Sequence, residues 1–243
     1  MLAAQPPPRR TRLGHADVFG GAAVSWREET IGDCRLINAD CMEVLETLGK
    51  MDAVVTDPPY GINYAANPIV GKGKKSSNHA RKSWDMRAPD VGAFVERATW
   101  AIVWGGNYFH LPPTRCWLSW FKPDAPPSLG NFELAWTNLD RTTRQLSVSI
   151  AETNAERVGH PTQKPLKLIQ WCLGFLPEVR SITDPFMGSG TTGVACAKAG
   201  LAFVGMESDP DYFDIACRRI EQAYKQPDLF IEQARKPVQE SLL

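Results

Sequence analysis

The segment that most limits what this chain can fold into is Asp184-Pro185-Phe186-Met187-Gly188-Ser189-Gly190-Thr191-Thr192. It leaves a short apolar strand, Ser181–Thr183, and opens a helical stretch, Gly190–Ala199. Gly188 and Gly190 let the backbone turn sharply and lie close to a ligand with no Cβ in the way. The first N–H groups of the helix are free to meet the electronegative end of a small molecule. A second strand, Ala202–Met206, and a helix, Asp209–Tyr224, follow at once. Strands and helices alternating at this spacing predict a mostly parallel sheet covered on both faces. Glu207 ends the second strand, where a carboxylate can accept hydrogen bonds from ribose hydroxyls. Gly188-Ser189-Gly190-Thr191-Thr192-Gly193 also fits the G-x-G-x-x-G pattern. On this segment alone, a nicotinamide cofactor and a tight turn without any ligand both stay open.

The rest of the chain reads the same way. Leu36–Asn38 is a short strand, followed by a helical run from Met42 to Leu48. Ala53–Thr56 is an apolar strand that stops at Asp57-Pro58-Pro59, where proline forbids further ladder pairing. Gly61 to Lys82 is a polar loop, Asp90 to Thr99 a helix, and Ala101–Trp104 a strand ending at Gly105-Gly106. Cys116–Trp120 and Phe132–Trp136 are two more strands, and Pro165 to Phe175 a helix with its proline in the first turn. Residues 137 to 159 show no period. Residues 1–24, rich in Pro, Gly, Ala and Arg, predict a flexible extension. The domain expected is 25–224, with a tail over 225–243.

Asp57-Pro58-Pro59-Tyr60 sits at the carboxyl end of its strand, where ligands bind in open α/β sheets. It answers a particular chemical difficulty. The lone pair of a base's exocyclic amine is conjugated into the ring and is a poor nucleophile. A carboxylate (Asp57) and a rigid backbone carbonyl (Pro58) can both accept hydrogen bonds from the amine, returning density to nitrogen and aiming it at an electrophilic methyl. Pro58 and Pro59 hold those acceptors in place beforehand. Tyr60 offers a flat face for a base that has left the duplex. The plain alternative is a Pro-Pro turn with a solvent-facing aspartate.

Other classes of function drop out. The chain has 243 residues, 43% of them hydrophobic and 22% charged, as in an ordinary globular protein of one domain. No apolar run approaches the roughly 18 residues that span a bilayer. The start of the chain has no apolar core, so it is not a secretory signal. Six scattered cysteines, with no C-x-x-C, argue against a disulfide or zinc framework; a cytoplasmic location and no metal are expected. The formal charge of +0 leaves only local basic stretches to meet phosphate. Methylation of a cytosine carbon needs a cysteine nucleophile, usually in a Pro-Cys pair, and the chain has none.

With both turns in view, the chain resembles the DNA adenine and cytosine amino-methyltransferases, in the beta order where the catalytic turn precedes the cofactor turn. Thr56-Asp57-Pro58-Pro59-Tyr60-Gly61 matches the catalytic motif, and Asp184 to Thr192 the cofactor motif. His160-Pro161-Thr162-Gln163-Lys164-Pro165 matches the element closing the methionine end of the cofactor site. Asp40-Cys41 stands where the family contacts the cofactor's adenine, with Ala39 in place of the usual glycine. Trp104–Phe109 and Glu133–Thr137 are similar to a compact, phage-like subgroup, in which Phe121 replaces an expected aspartate. The resemblance covers roughly residues 27 to 224. It implies a Rossmann-like class I methyltransferase sheet of seven strands with one reversed strand, around Phe132–Trp136. It also implies S-adenosylmethionine as cofactor, bound by Asp40, Cys41, His160, Thr162, Lys164, Asp184, Phe186, Gly188, Ser189, Gly190, Thr191, Thr192 and Glu207. Asp rather than Ser before Pro-Pro-Tyr implies N6 of adenine; N4 of cytosine is the alternative. A catalytically dead DNA-binding relative, and an RNA or protein amino-methyltransferase, are the rivals.

Double-stranded DNA is the expected partner. Lys72, Lys74, Lys75, Arg81 and Lys82 form a basic loop placed to grip phosphates beside a flipped base. Sequence readout is expected within 122–159, where Arg141, Arg144 and Gln145 carry donors suited to purine edges. Such a small reader suggests a short target or a homodimer. Gln226-Pro227-Asp228-Leu229-Phe230 is similar to the pentapeptide with which bacterial proteins dock on the replication sliding clamp; the alternative is that Leu229 and Phe230 pack on the domain.

Overall fold

The computed structural model describes residues 7–16, 24–61, 88–127, 130–158 and 163–225. In chain order the elements are β1 (Arg9–Ala16), β2 (Val24–Ile31), β3 (Cys34–Asn38), α1 (Cys41–Leu45), β4 (Met51–Thr56), α2 (Gly92–Val95) and β5 (Ala98–Trp104). Then come β6 (Trp117–Phe121), β7 (Phe132–Thr137), β8 (Arg144–Ser147), α3 (Ile150–Ala155), α4 (Leu166–Leu173), β9 (Ser181–Asp184), α5 (Thr191–Ala199), β10 (Ala202–Met206) and α6 (Pro210–Lys225).

The strands make one sheet in the order β1-β2-β3-β10-β9-β4-β5-β7-β6-β8. From β3 to β5 every pairing is parallel. Such strands are buried on both faces, which is why they read as unbroken apolar runs. In β4 the alternation sorts the residues: Ala53 and Val55 pack with Ile182, Leu168 and Phe213, while Val54 packs with Ile37, Val44, Phe94 and Met206. Helices α4, α5 and α6 thus cover one face, and α1 and α2 the other.

The expected reversed strand is β7, antiparallel to both β5 and β6. The sheet has ten strands among the described residues, however, not seven, and β2 is reversed as well. Two of the additional strands lie at the amino end. Part of the expected flexible extension is the edge strand β1, paired with β2 over eight positions. Its fixity comes from charge more than from apolar burial, which is why apolar periodicity misses it. Arg9 Nε (3.0 Å) and Thr11 Oγ1 (2.8 Å) donate to the buried Glu29 carboxylate, and Arg12 Nε (2.6 Å) and Arg35 Nε (2.9 Å) to Glu28. The stretch 137–159, without period in the sequence, holds β8 and α3, the latter started by a capping box between Ser149 and Glu152. The helix expected over 90–99 is only the single turn α2, because β5 already begins at Ala98.

This topology places the site. Strands β9 and β4 are parallel neighbours, with Val54 opposite Thr183. The turn after β9 (Asp184 to Thr192) and the turn after β4 (Asp57 to Tyr60) therefore leave the same sheet edge side by side.

Candidate active site

The two turns are tied across that seam. Thr56 Oγ1 donates to Asp184 Oδ1 at 2.7 Å, and Thr192 Oγ1, from α5, to Asp184 Oδ2 at 2.7 Å. Phe186 N donates to Oδ1 as well, at 3.1 Å. Burial pushes the Asp184 carboxyl up to about 6, against the pull of these three donors. With both oxygens engaged inside the protein, Asp184 holds the turn in shape.

A cleft of about 830 Å³ opens between the turns. Asp57, Pro59, Asp40, Cys41, Lys164, Asp184, Phe186, Gly188, Ser189, Thr191, Thr192 and Glu207 all line it. Asp57 and Gly188, far apart in the chain, thus face one cleft. Asp40 caps α1, accepting from Met42 N at 2.9 Å, and Cys41, its thiol pushed up to about 12 by burial, is a neutral apolar wall. Glu207 accepts from Gly188 N (3.0 Å) and Asp209 N (2.8 Å), so it also braces the glycine turn. Burial pushes it up to about 7. His160 and Thr162 lie outside the described residues, as do Lys72, Lys74, Lys75, Arg81, Lys82 and the 226–230 segment.

The glycines divide their work differently from the sequence reading. Gly190 is left-handed (φ 80°), and a Cβ there would fall 2.9 Å from Ala216 Cα of α6. Its missing side chain makes room for a helix, not for a ligand. Gly193 likewise admits Ile220 and Phe203, whose atoms would lie 2.4 and 2.8 Å from a Cβ. Arg219, from α6, completes the support by donating to Ser189 O (2.6 Å) and Thr191 Oγ1 (3.1 Å).

Lys164, expected at the cofactor's methionine end, lines the cleft and also contacts the Asp57–Tyr60 turn. Its Nζ lies 2.5 Å from Asp57 Oδ2 and 3.0 Å from Glu133 Oε2 of β7. Glu133 in turn pairs with Lys122. Tyr60 donates its hydroxyl to Asp57 Oδ1 at 2.7 Å. Burial pushes the Asp57 carboxyl up, with Lys164 pulling the other way. Burial would also raise Glu133, but Lys164 and Lys122 outweigh it and bring it down to about 2. Burial disfavours the Lys164 ammonium, yet Asp57 and Glu133 hold it well above the usual lysine range.

The ring of Tyr60 is boxed in: Tyr108 stacks on it at 4.9 Å and 16°, and Phe109 meets it edge-on at 6.4 Å. On that side a second concavity, of about 580 Å³, is lined by Tyr60, Tyr108, Phe132, Glu133, Arg144 and Gln145. Arg144 and Gln145 therefore open next to the Asp57–Tyr60 turn, although Arg144 also donates to Thr142 Oγ1 at 2.6 Å. Arg141 is exposed and does not line that concavity. Glu133, Lys122, Gly105 and Arg219 escaped the sequence reading as site residues. A glutamate inside an otherwise apolar strand was the one available signal, and Glu133 carried it.

A doubly covered, mostly parallel sheet with a glycine turn and an Asp-Pro-Pro-Tyr turn at one edge defines a Rossmann-like class I methyltransferase fold. Comparison with known proteins agrees. A family model described as DNA methylase, of the N6/N4 type, matches residues 104–218. The type II methyltransferase M2.LlaDCHI of Lactococcus lactis subsp. cremoris is 42% identical over 239 aligned positions, spanning 77% of this chain and 89% of that protein. The chain belongs to the N6-adenine/N4-cytosine DNA methyltransferase family, whose methyl donor is S-adenosylmethionine. The type II methyltransferase M2.DpnII of Streptococcus pneumoniae is 44% identical over 63 residues, where the chain spans only 24% of that protein. Among solved structures, the M1.HpyAVI–SAM complex superposes with a TM-score of 0.53 at 21% identity, over 77% of this chain and 98% of the other. No helix among the described residues is long and apolar enough to cross a membrane.

Proposed function

We propose that this protein transfers a methyl group from S-adenosylmethionine to the exocyclic amine, N6, of an adenine in double-stranded DNA. The observation that carries this reading is the shared cleft of Asp57 and Gly188. The cleft's chemistry fits the cofactor. Asp40 and Glu207 offer carboxylates for its hydroxyls and amines, Cys41 and Phe186 give apolar walls, and Gly188 to Thr192 give backbone at a helix start. When bound there, S-adenosylmethionine supplies an electrophilic methyl group.

The rest falls to the chain's own residues. Asp57 accepts a hydrogen bond from the base amine, using a lone pair left over from its bonds to Lys164 and Tyr60; a carboxylate has about four such positions. That acceptor would localise the nitrogen lone pair and aim it at the methyl group that the bound cofactor would supply. Asp57 then takes the amine proton made acidic by the new N–C bond and passes it to water. The base enters from the side of the second concavity, near Tyr60, Arg144 and Gln145, and Lys72, Lys74, Lys75, Arg81 and Lys82 hold flanking phosphates. Adenine is preferred because an aspartate, not a serine, precedes Pro58-Pro59-Tyr60.

Long-read modification mapping of a methylation-free host expressing the chain tests this directly. N6-methyladenine at a defined site is expected, and none with Asp57→Ala. N4-methylcytosine instead overturns the assignment of the base, and unmodified DNA together with cofactor binding leaves the inactive relative.

A further inference from the structure

Four side chains from four parts of the fold form a row of alternating charge: Lys122 after β6, Glu133 on β7, Lys164 before α4 and Asp57 after β4. Lys164 is the pivot. Only 8% of its side chain is exposed, and it bridges two carboxylates at 2.5 and 3.0 Å. The rings of Tyr60 and Trp104 stand 5.9 and 5.8 Å from its Nζ, which helps a cation and hinders a neutral amine. Glu133 faces the second concavity and Asp57 the cofactor cleft, with Lys164 between them.

Taking the proposed methyl transfer as given, we infer that Lys164 and Glu133 are positioning residues that set the charge state of Asp57. Asp57 must be anionic to accept from the base amine, yet its surroundings favour the neutral acid. Beside it lie Tyr60 on its own turn, Asp184 on β9 and Glu133 on β7, and among the described charges facing it Lys164 alone is positive. Cys172 of α4, which also interacts with Lys164, is a neutral thiol. The ammonium is therefore what draws Asp57 towards its ionised form, against the burial that favours the acid. Glu133 keeps that ammonium seated when the amine takes its share of Asp57, so that no unpaired charge is left buried. Lys122, which also rests on the Trp120 ring at 4.6 Å, holds Glu133 from the other side.

The two residues then act on Asp57 with opposite sign. Removing the positive neighbour raises its pKa; removing the negative one lowers it. The test is single-turnover methyl transfer to unmethylated DNA across pH, at saturating cofactor, beside calorimetric binding of S-adenosylhomocysteine. In Lys164→Met the acidic limb should move up by at least about one pH unit, the usual scale for losing an opposite charge in contact. In Glu133→Gln it should move down, while Lys164→Arg should keep the wild-type limb. Cofactor-product binding should persist throughout. Unmoved limbs, or shifts of the same sign, overturn the inference and leave the methyltransferase reading intact. Loss of S-adenosylhomocysteine binding in a folded Lys164→Met also overturns it, returning Lys164 to the cofactor site. If Lys164→Met does not fold, the direction of the Glu133→Gln shift decides. A wild-type protein that transfers no methyl at any pH refutes the functional reading, and the inference falls with it.

Discussion

Gly105 lies flush against the ring of Tyr60: a Cβ built on it would fall 2.1 Å from Tyr60 Cε1. The glycine is left-handed, with φ at 66°, and the turn it starts carries Tyr108 over the same ring. One residue just after β5 thereby fixes the orientation of Tyr60, which lies in the turn after β4.

Gly105→Ala should consequently separate activity from folding. The strain of an L residue in this conformation costs roughly 1–2 kcal/mol, a fall in Tm of about 2–8 °C for a chain this long. The displaced Tyr60 should cost more: a drop of about tenfold or greater in the single-turnover rate, since misplacing a group near the reacting atoms by about 1 Å is that damaging. Calorimetry should find cofactor binding unchanged. An alanine variant with wild-type turnover would show that the ring's position is immaterial.

The glycine turn makes a different prediction. Because Gly190 faces the backbone of α6, Gly190→Ala should destabilise the whole domain by about 2–4 kcal/mol, combining overpacking with left-handed strain. Ala216→Gly clears the Cβ at 2.8 Å but not the Cα at 2.9 Å, so the double variant should recover only part of the loss. Denaturant melts of the four-member cycle measure the coupling. Complete rescue would place the clash on the side chain alone.

What the sequence revealed, and what it hid, follow from the same physics. The parallel strands are legible because burial on both faces leaves apolar runs, and the turns after β4 and β9 because proline and glycine punctuate them. The convergence of Asp57 and Gly188 follows from the motif order and from the parallel sheet that puts β4 beside β9. Hidden from any local pattern were features that need three dimensions. The β1–β2 pair is held by arginines over Glu28 and Glu29, whose burial no local pattern signals. Lys164 lines the cleft, as its place in the chain leads one to expect, but its contacts with Asp57 and Glu133 come from distant elements that no local pattern connects to it. Gly190 read as a ligand-facing glycine for want of any sign that Ala216 packs on it.

Glu207 gives the protein a pH-dependent weakness. Its carboxyl is raised from 4.5 to about 7 in the folded state. The folded chain therefore binds this proton more tightly than the unfolded chain, and the stability it contributes is present below about pH 4.5 and lost as pH climbs toward 7. The scale is roughly 3 kcal/mol at most. Glu207→Gln cannot titrate. Whatever the constant cost of the substitution, the Tm of the variant relative to wild type should rise steadily from pH 5 to about pH 8. A difference that stays flat or falls over that range would remove Glu207 as the cause.

The seam between β4 and β9 can be tested at a single hydroxyl. Thr56→Val keeps the shape and removes the donor that reaches Asp184 Oδ1 at 2.7 Å. Phe186 N then remains on that oxygen and Thr192 on the other. The loss should be about 1–3 kcal/mol, the usual cost of stripping a partner from a buried charged group. It should also depend on pH. Thr56 lowers the Asp184 pKa, which stands at about 6, so without it the carboxyl titrates higher still. Near pH 5 Asp184 is protonated with or without the threonine, and the deficit is small. Toward pH 8 the wild type carries a supported carboxylate and the variant a poorly supported one, so the deficit grows. Urea melts of both proteins at the two pH values, with Thr192→Val alongside, measure it. An equal deficit at pH 5 and pH 8 would mean that Thr56 serves the seam by packing and not by supporting the charge.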